Sequence, residues 1–211
     1  ALRINVDLEL HVTVLQNHTS DDIVVLQGAT VTLGERVVSP PLDLQIGRRR
    51  IAAVGANGAG KTTLLDVMVG RRFPTAGKAF RDPSKIGTIA QGGTDWLLDE
   101  SLLAYLSLQT VHPDKDEIAS MLVAHKFPFA LAERPLRSLS PGERARAALI
   151  ALFQRSPPVE LLVLDEPTYS LDLVGRQAMA DALRAWPGGL VVASHDRDFL
   201  AAIGIDEVIE L

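Results

Sequence analysis

The hydrophobic pattern of the first 50 residues is that of β-strands separated by short turns. Apolar and polar positions alternate in residues 2–15, 23–27, 29–33 and 42–46. Gly28, residues 34–36 and the two prolines at 40–41 interrupt these stretches and predict turns between them. Because such alternation is typical of half-buried strands, we predict an antiparallel, β-rich opening.

Beyond residue 50 the pattern switches between short apolar runs and helical spacing. The apolar runs predict strands at 51–54, 78–80, 86–91, 160–164, 189–193 and 206–210. Helical spacing predicts helices at 64–69, 101–109, 114–126, 141–154, 173–185 and 197–202. Alternation of the two predicts a mainly parallel sheet with crossover helices.

These elements predict a single α/β domain spanning residues 1–211. We divide it into a β-rich part at 1–50, a core part at 51–96, an inserted helical subdomain at 97–139 and a second core part at 140–211. A chain of 211 residues with 47% apolar and 22% charged residues has the composition of one globular domain.

Charge and cysteine content exclude some classes of function. The formal net charge of −5 does not indicate a nucleic-acid partner, and we interpret the arginines at 48–50 and 71–72 as a solvated edge. The chain has no cysteine, which excludes disulfides and thiolate metal sites and is typical of a cytoplasmic protein. No apolar run is long enough for a membrane span, so we expect no membrane insertion and a cytoplasmic location.

Residues 55–63 carry the clearest chemistry. They read Gly-Ala-Asn-Gly-Ala-Gly-Lys-Thr-Thr and connect the predicted strand 51–54 to the predicted helix 64–69. Strand, glycine loop and helix in this order predict a P-loop, whose backbone N–H groups cradle a polyphosphate. Lys61 would reach the outer phosphates, and the Thr62 hydroxyl would bind Mg²⁺. The alternative is a glycine-rich turn, which these flanks make less favourable.

Two carboxylates, Asp165 and Glu166, follow the apolar run 161–164. A buried parallel strand places the residues at its carboxyl end where such sheets bind ligands. Alone, the pair fits equally well the start of a loop. With a P-loop upstream, it predicts a Mg²⁺ ligand in Asp165 and a water-orienting group in Glu166, since nucleotide hydrolysis needs both.

Residues 139–143 read Leu-Ser-Pro-Gly-Glu and have two interpretations. Ser140 is a good N-cap, Pro141 suits the first helical position and Glu143 completes a capping box, so the segment predicts a well-capped helix. The same features make an anion site from the Ser140 hydroxyl and the Gly142 N–H.

Taken in order, these motifs resemble the ATPase domain of the ATP-binding cassette (ABC) family, from about residue 25 to residue 211. The resemblance rests on the P-loop, a lone Gln91 after a strand, the signature 139–143, the Asp165–Glu166 pair, the D-loop-like residues 170–172 and His195 within Ser-His-Asp-Arg. It implies a P-loop NTPase fold with ATP and Mg²⁺. In this family two cassettes meet head to tail, and each ATP lies between one P-loop and the signature of the other cassette.

The resemblance also implies roles for single residues. Glu166, His195 and Gln91 would serve catalysis, as water-orienting group, γ-phosphate contact and metal ligand. Thr62, Gln91 and Asp165 would hold Mg²⁺. The ATP-binding residues would be Gly55, Asn57, Gly58, Ala59, Gly60, Lys61, Thr62 and Thr63, with Ser140 and Gly142 acting in the site of the opposite cassette.

Smaller details favour one subfamily. Residues 165–172 (Asp-Glu-Pro-Thr-Tyr-Ser-Leu-Asp) and 194–200 (Ser-His-Asp-Arg-Asp-Phe-Leu) resemble the ABC-F group. That group consists of soluble tandem ATPases, many of which act on the ribosome and some of which protect it from antibiotics. Three departures are Tyr169–Ser170 in place of Asn-His, Pro141 within the signature, and Leu33 where the family has an aromatic residue. No long insertion separates Gln91 from the signature, so we expect a second, C-terminal cassette supplied as a fragment.

Three functions therefore compete. The first is an ABC-F-like ATPase that acts on the ribosome. The second is the ATPase subunit of a membrane transporter, which would bind transmembrane subunits. The third is a nucleotide-gated binding module with little turnover, which Pro141 and Leu33 keep open.

Overall fold

A computed structural model describes residues 21–109 and 115–211 of the chain. Its antiparallel sheet contains β1 (Val24–Leu33), β2 (Arg36–Ile46) and β4 (Ala76–Arg81), in the order β2–β1–β4. The parallel sheet contains β3 (Arg50–Val54), β5 (Ile86–Ile89), β6 (Leu161–Asp165), β7 (Gly189–Ala193) and β8 (Glu207–Glu210), in the order β5–β6–β7–β3–β8. The predicted division into an antiparallel and a parallel part is confirmed. The predicted strand at 2–15 lies outside the described residues.

The helices connect and cover these strands. They are α1 (Lys61–Val69), α2 (Leu102–Gln109), α3 (Lys115–Ala124), α4 (Phe129–Ala132), α5 (Pro141–Phe153), α6 (Leu173–Ala185) and α7 (Arg197–Ile203). Short 3-10 helices occupy Pro83–Lys85, Gln91–Trp96 and Leu136–Ser138. The helical character predicted for residues 97–139 is confirmed for the described part of that segment.

The antiparallel sheet corrects two predicted turns. Gly28 does not separate two strands but lies within β1, where its φ of +53° accompanies a shift in register against β2. The prolines at 40–41 lie inside β2, which is an edge strand among the described residues. Proline lacks an N–H for the ladder and is therefore tolerated at an edge, where that donor has no partner strand to face.

The parallel sheet separates two hydrophobic layers because successive side chains of a strand point to opposite faces. Leu162 and Leu164 of β6 pack with the helices α5 and α6 and with the helical subdomain. Leu161 and Val163 pack with α1 and the antiparallel sheet. The carboxyl ends of β6, β7 and β3 consequently meet at one edge of the sheet, between these two layers.

The arginines at 48–50 are not merely a solvated edge. The Arg50 guanidinium donates to the carbonyls of Leu183 (2.6 Å), Ile203 (2.7 Å) and Trp186 (3.1 Å), which ties β3 to the ends of α6 and α7. Arg49 forms an ion pair with Glu207. Both arginines therefore have a structural role.

Candidate functional site

The loop between β3 and α1 has the backbone that a phosphate cradle requires. Gly58 (φ +77°) and Gly60 (φ +111°) adopt left-handed conformations that favour glycine. A Cβ on Gly60 would lie 2.1 Å from Cγ1 of Val38, so this position tolerates no side chain. Within the described residues, no side chain caps α1 and no acid occupies its first turn. Its first N–H groups are therefore available to an anion.

Lys61 is buried beneath this loop. It is 7% exposed, and its Nζ donates to the carbonyls of Gly55 (2.9 Å) and Ala56 (3.3 Å). The same Nζ lies 3.6 Å from Oε1 of Glu166. One ammonium group thus joins the start of the loop to the carboxylate that follows β6.

Thr62 and Asp165 bring two oxygen donors together. The Thr62 hydroxyl donates to Oδ2 of Asp165 at 2.6 Å, although the two residues are 103 positions apart. Burial raises the pKa of Asp165 above its ordinary value; the Thr62 hydrogen bond and Lys61 oppose that rise, while Glu166 and Asp66 add to it. The carboxylate is therefore held in an environment that disfavours its own charge unless a cation is near.

Glu166 and His195 form the other pair in this region. Glu166 has a φ of +44°, which is uncommon for a residue other than glycine, and its N–H donates to the Ala193 carbonyl at 2.8 Å. Its carboxylate oxygens lie 3.0 and 2.9 Å from Nδ1 of His195. The His195 side chain is 70% exposed while that of Glu166 is 11% exposed, so the pair runs from the interior to the surface.

These side chains line one open cleft of about 870 Å³. The cleft brings together most of the predicted site: Asn57, Gly58, Gly60, Lys61, Thr62, Thr63, Gln91, Asp165, Glu166 and His195. Gly55 and Ala59 do not line the cleft. The Gly55 carbonyl accepts from Lys61, and the Ala59 side chain is buried within the loop. Leu33, 44% exposed, is the apolar residue that β1 contributes to the cleft.

The signature segment packs against residue 170, at the border of this cleft. Ser140 is the N-cap of α5: its Oγ accepts from the Glu143 N–H (3.3 Å), and its own N–H donates to Oε2 of Glu143 (2.9 Å). The predicted capping box is confirmed, and the hydrogen bonds from Ser140 lower the pKa of Glu143. Gly142 is buried against the D-loop, where a Cβ would lie 2.8 Å from the Ser170 carbonyl oxygen. Among the described residues lining the cleft, neither Ser140 nor Gly142 occurs.

A family model described as ABC transporter matches residues 41–169. The chain belongs to the ABC family of ATPase cassettes. It is 35% identical over 170 residues to the probable ATP-binding protein YheS of Escherichia coli K12, and this match covers 79% of this chain and 26% of that protein. It is 35% identical over 166 residues to ABC transporter F family member 4 of Arabidopsis thaliana, a match that covers 75% of this chain and 22% of that protein. It is 36% identical over 157 residues to GCN20 of Saccharomyces cerevisiae (74% and 20%).

The ABC cassette therefore spans between 20% and 26% of the length of these relatives. Solved structures share its fold. The dimeric ATP-binding cassette MJ0796 bound to ADP and Pi aligns with a TM-score of 0.69 at 20% identity, over 90% of this chain and 94% of that chain. A bacterial Atm1-family ABC exporter with ATP bound aligns with a TM-score of 0.69 at 20% identity (92% and 38%). These matches confirm the predicted α/β fold of a P-loop ATPase. None of the described helices combines the length and the apolar character that crossing a bilayer requires.

The cleft offers a hard cation a small number of oxygen ligands. No group of three or more histidine, aspartate or glutamate side chains able to hold a metal exists in residues 21–109 and 115–211. Thr62 and Asp165 instead offer two adjacent oxygens, and Gln91 lines the same cleft. Mg²⁺ prefers this arrangement, in which few protein oxygens share it with phosphate oxygens and water.

Sequence analysis missed two features of the cassette. Arg176 and Asp196 form an ion pair at 2.7 Å on the cleft wall; Asp196 lies in the Ser-His-Asp-Arg motif, but no motif marks Arg176. Arg144, 6% exposed, lies outside the cleft and donates to three backbone carbonyls. Its only signal in the sequence is a charge within the largely apolar segment 144–152.

Proposed function

We propose that this cassette binds and hydrolyses ATP in a head-to-tail pair with a second cassette, provided by the same polypeptide or by another copy. One observation carries the proposal. Lys61, Glu166 and His195 line a single cleft, whereas Ser140 and Gly142 lie outside it. In this proposal a second cassette supplies the signature, and Ser140 and Gly142 act in the nucleotide site of the partner cassette.

Each residue in the cleft has a role in this proposal. The N–H groups at the start of α1 and the Lys61 ammonium bind the phosphates. Glu166 orients the attacking water and accepts its proton. Because His195 uses Nδ1 towards Glu166, its Nε2 is the nitrogen that contacts the γ-phosphate. On this basis the Glu166 carboxylate both positions His195 and activates water.

Mg²⁺, when bound with ATP, would neutralise charge on the phosphates. Thr62, Asp165 and Gln91 are the residues that would hold it, Thr62 and Asp165 through the two oxygens that now lie 2.6 Å apart. Thr62 sits in the first turn of α1, so the same helix that binds the phosphates also places one donor.

The proposal also names the cellular process that ATP hydrolysis drives. We assign the cassette to an ABC-F-type protein that acts on the ribosome in the cytoplasm, with protection from antibiotics among the possible outcomes of that action. Support comes from residues 165–172 and 194–200, which resemble that group, and from relatives such as ABC transporter F family member 4. The relatives are much longer than this chain, so the complete protein is the right object for testing this part.

Phosphate release by Glu166→Gln tests the chemistry. We expect a loss of about 10²–10⁴-fold, the range for removing a general base. Glu160→Gln is a matched control, since Glu160 pairs with Lys85 (3.0 Å) just before β6 and not in the cleft. Equal rates for wild type and Glu166→Gln would contradict hydrolysis by Glu166 and favour the binding module. For this single cassette on its own, shown to be monomeric, a hydrolysis rate per cassette that stays constant on dilution would contradict the shared site.

Co-sedimentation tests the partner. The full-length protein with Glu166→Gln should hold ATP and pellet with ribosomes in ATP but not in ADP. Lys61→Met in the same protein is the control, because it removes the phosphate contact. Co-purification with transmembrane subunits, without ribosome binding, would instead identify a transporter ATPase.

A further inference from the structure

Arg144 is a buried cation that does not belong to the nucleotide cleft. It lies in the second turn of α5, four residues after Ser140, and is 6% exposed. Its Nε donates to the Gly93 carbonyl at 3.0 Å, one terminal nitrogen to Leu139 at 2.9 Å and the other to Gly92 at 2.8 Å. A buried guanidinium is tolerated only when such partners replace its hydration.

The partners of Arg144 belong to two different functional segments. Gly92 and Gly93 directly follow Gln91, and Leu139 directly precedes Ser140. Both glycines have a φ of +65°, a left-handed conformation that kinks the chain within the 3-10 segment at residues 91–96, which packs against α5. One side chain therefore fastens the cleft-lining Gln91 segment to the start of the signature helix.

Close packing leaves little room for the two segments to move separately. A Cβ on Gly93 would lie 3.2 Å from Cγ of Arg144, and a Cβ on Gly92 would lie 3.3 Å from Cβ of Pro141. Arg144 bonds span this contact with fixed guanidinium geometry, so a shift of the Gln91 segment has to displace α5 or break them.

We infer that Arg144 is a positioning residue that makes the Gln91 segment and the signature helix move as one body. Nucleotide at the P-loop of this cassette would then alter the position of the signature that the same cassette presents to its partner. The inference rests on the proposed function, because it takes Gln91 as a contact of the bound nucleotide and metal.

Arg146 offers a matched control on the same helix. It is half-buried and also donates to carbonyls, those of Lys126 (2.6 Å) and His125 (3.1 Å), with its guanidinium 5.7 Å from the centre of the Phe127 ring. It thus ties α5 to the helical subdomain and not to the Gln91 segment. Arg→Lys at either position keeps the charge but loses the fork of donors.

Hydrogen exchange of the nucleotide-free, full-length protein is the first readout. In Arg144→Lys we expect exchange at residues 90–96 and 139–143 to rise together by about tenfold, the factor for losing one charge-assisted hydrogen bond. In Arg146→Lys these segments should exchange as in wild type. Unchanged exchange in Arg144→Lys, or the same rise in Arg146→Lys, would overturn the inference.

The second readout is the Mg²⁺ concentration that gives half-maximal ATP hydrolysis. We expect it to rise about threefold or more in Arg144→Lys, remain unchanged in Arg146→Lys, and show no further rise when Arg144→Lys is combined with Gln91→Ala. If both arginine variants show the same Mg²⁺ dependence and the same loss of melting temperature, Arg144 only stabilises the fold and does not couple the two segments.

Gly93→Ala keeps the test available if Arg144→Lys does not fold, because its added Cβ disturbs the same junction from the loop side. It should reproduce the joint rise in exchange at 139–143, and exchange confined to 90–96 would contradict the coupling. If wild type hydrolyses no ATP, the proposed function fails, whereas the exchange pattern still decides the role of Arg144.

Discussion

The helices α1 and α5 both begin at sites assigned to phosphate, yet their N-termini are built in opposite ways. α1 follows Gly60 in a left-handed conformation and, within the described residues, has neither a side-chain cap nor an acid in its first turn. α5 begins with Ser140 and Glu143, which close a capping box around its first donors. One N-terminus is open to a ligand, and the other already has an internal partner.

In the proposed function, this difference gives the two N-termini different roles. At α1 an arriving phosphate finds uncapped N–H groups and the Lys61 ammonium. At α5 it would have to share the Ser140 hydroxyl with the Glu143 N–H, and Pro141 has no N–H to offer. Under the proposed function, α1 binds nucleotide within one cassette, whereas α5 completes a site that another cassette has filled.

The largest expected effect is at the open end. Lys61→Met keeps the length of the side chain but removes the charge and the donors that reach Gly55 and Ala56. We expect ATP hydrolysis to fall by about 10²–10³-fold, the range for losing one preorganised donor at the reacting group. Affinity for a fluorescent ATP analogue should fall in the monomer as well. Lys78→Met, at an exposed position on β4, is the control, and equal binding by both variants would contradict the comparison.

A smaller effect with a different signature is expected at the capped end. Ser140→Ala should leave nucleotide binding by the monomer unchanged and slow hydrolysis by about tenfold or more, the cost of one hydrogen bond to a charged group. It should also cost about 1 kcal/mol of folding free energy through the lost cap, measured by urea unfolding. Ser140→Gly separates these effects, because glycine is nearly as good a cap but has no hydroxyl. If Ser140→Gly hydrolyses ATP at the wild-type rate, the hydroxyl does not contact phosphate.

How far a sequence predicts such a site depends on whether the cause is local. Helix α6 has the predicted bounds, because Asp172 caps it by accepting from the Gly175 N–H at 2.7 Å and its apolar positions follow the helical period. The capping box at Ser140 was predictable for the same reason. In each case the capping side chain and the backbone N–H that it binds are three residues apart in the chain.

Features that depend on distant neighbours were not predictable. The strand predicted at 86–91 ends at Ile89, because residues 91–96 leave the sheet and pack against α5, which lies about 50 residues further along the chain. The prolines at 40–41 were wrongly predicted as a turn, since nothing local reveals that β2 lies at an edge. The 2.9 Å contact between Glu166 and His195 follows from the pairing of β6 with β7. The roles of these site residues stay predictions.

The residues around the two N-termini should also contribute differently to stability: Asp165, which accepts a hydrogen bond from Thr62 at the start of α1, should lower it, whereas Ser140 at the start of α5 should raise it. Because burial raises the pKa of Asp165 above its unfolded value, the ionised carboxylate destabilises the fold at neutral pH. Asp165→Asn should therefore stabilise the nucleotide-free cassette, by about 1 kcal/mol at pH 7, the reverse of Ser140→Ala. The gain should shrink as the pH falls and vanish at about pH 2, well below the ordinary aspartate pKa of about 3.9, where the aspartate is protonated in both the folded and the unfolded state. Urea unfolding at both pH values measures it, and a gain that persists at low pH would rule out relief of the buried charge.

The smallest expected effect is at Pro141, within the capped N-terminus of α5. Pro141→Gly restores an N–H at the first position of α5 and removes a residue whose fixed φ suits that position. We expect a loss of about 0.5–1 kcal/mol in folding free energy, because glycine raises the entropy of the unfolded chain. The restored donor should at the same time leave hydrolysis unchanged or raise it severalfold, since it adds an N–H at the helix end that, in the proposed pair, would face the partner's nucleotide. Melting temperature and phosphate release on the same sample separate the two effects. Loss of both stability and hydrolysis would mean that the rigidity of Pro141 matters more to the shared site than the missing donor.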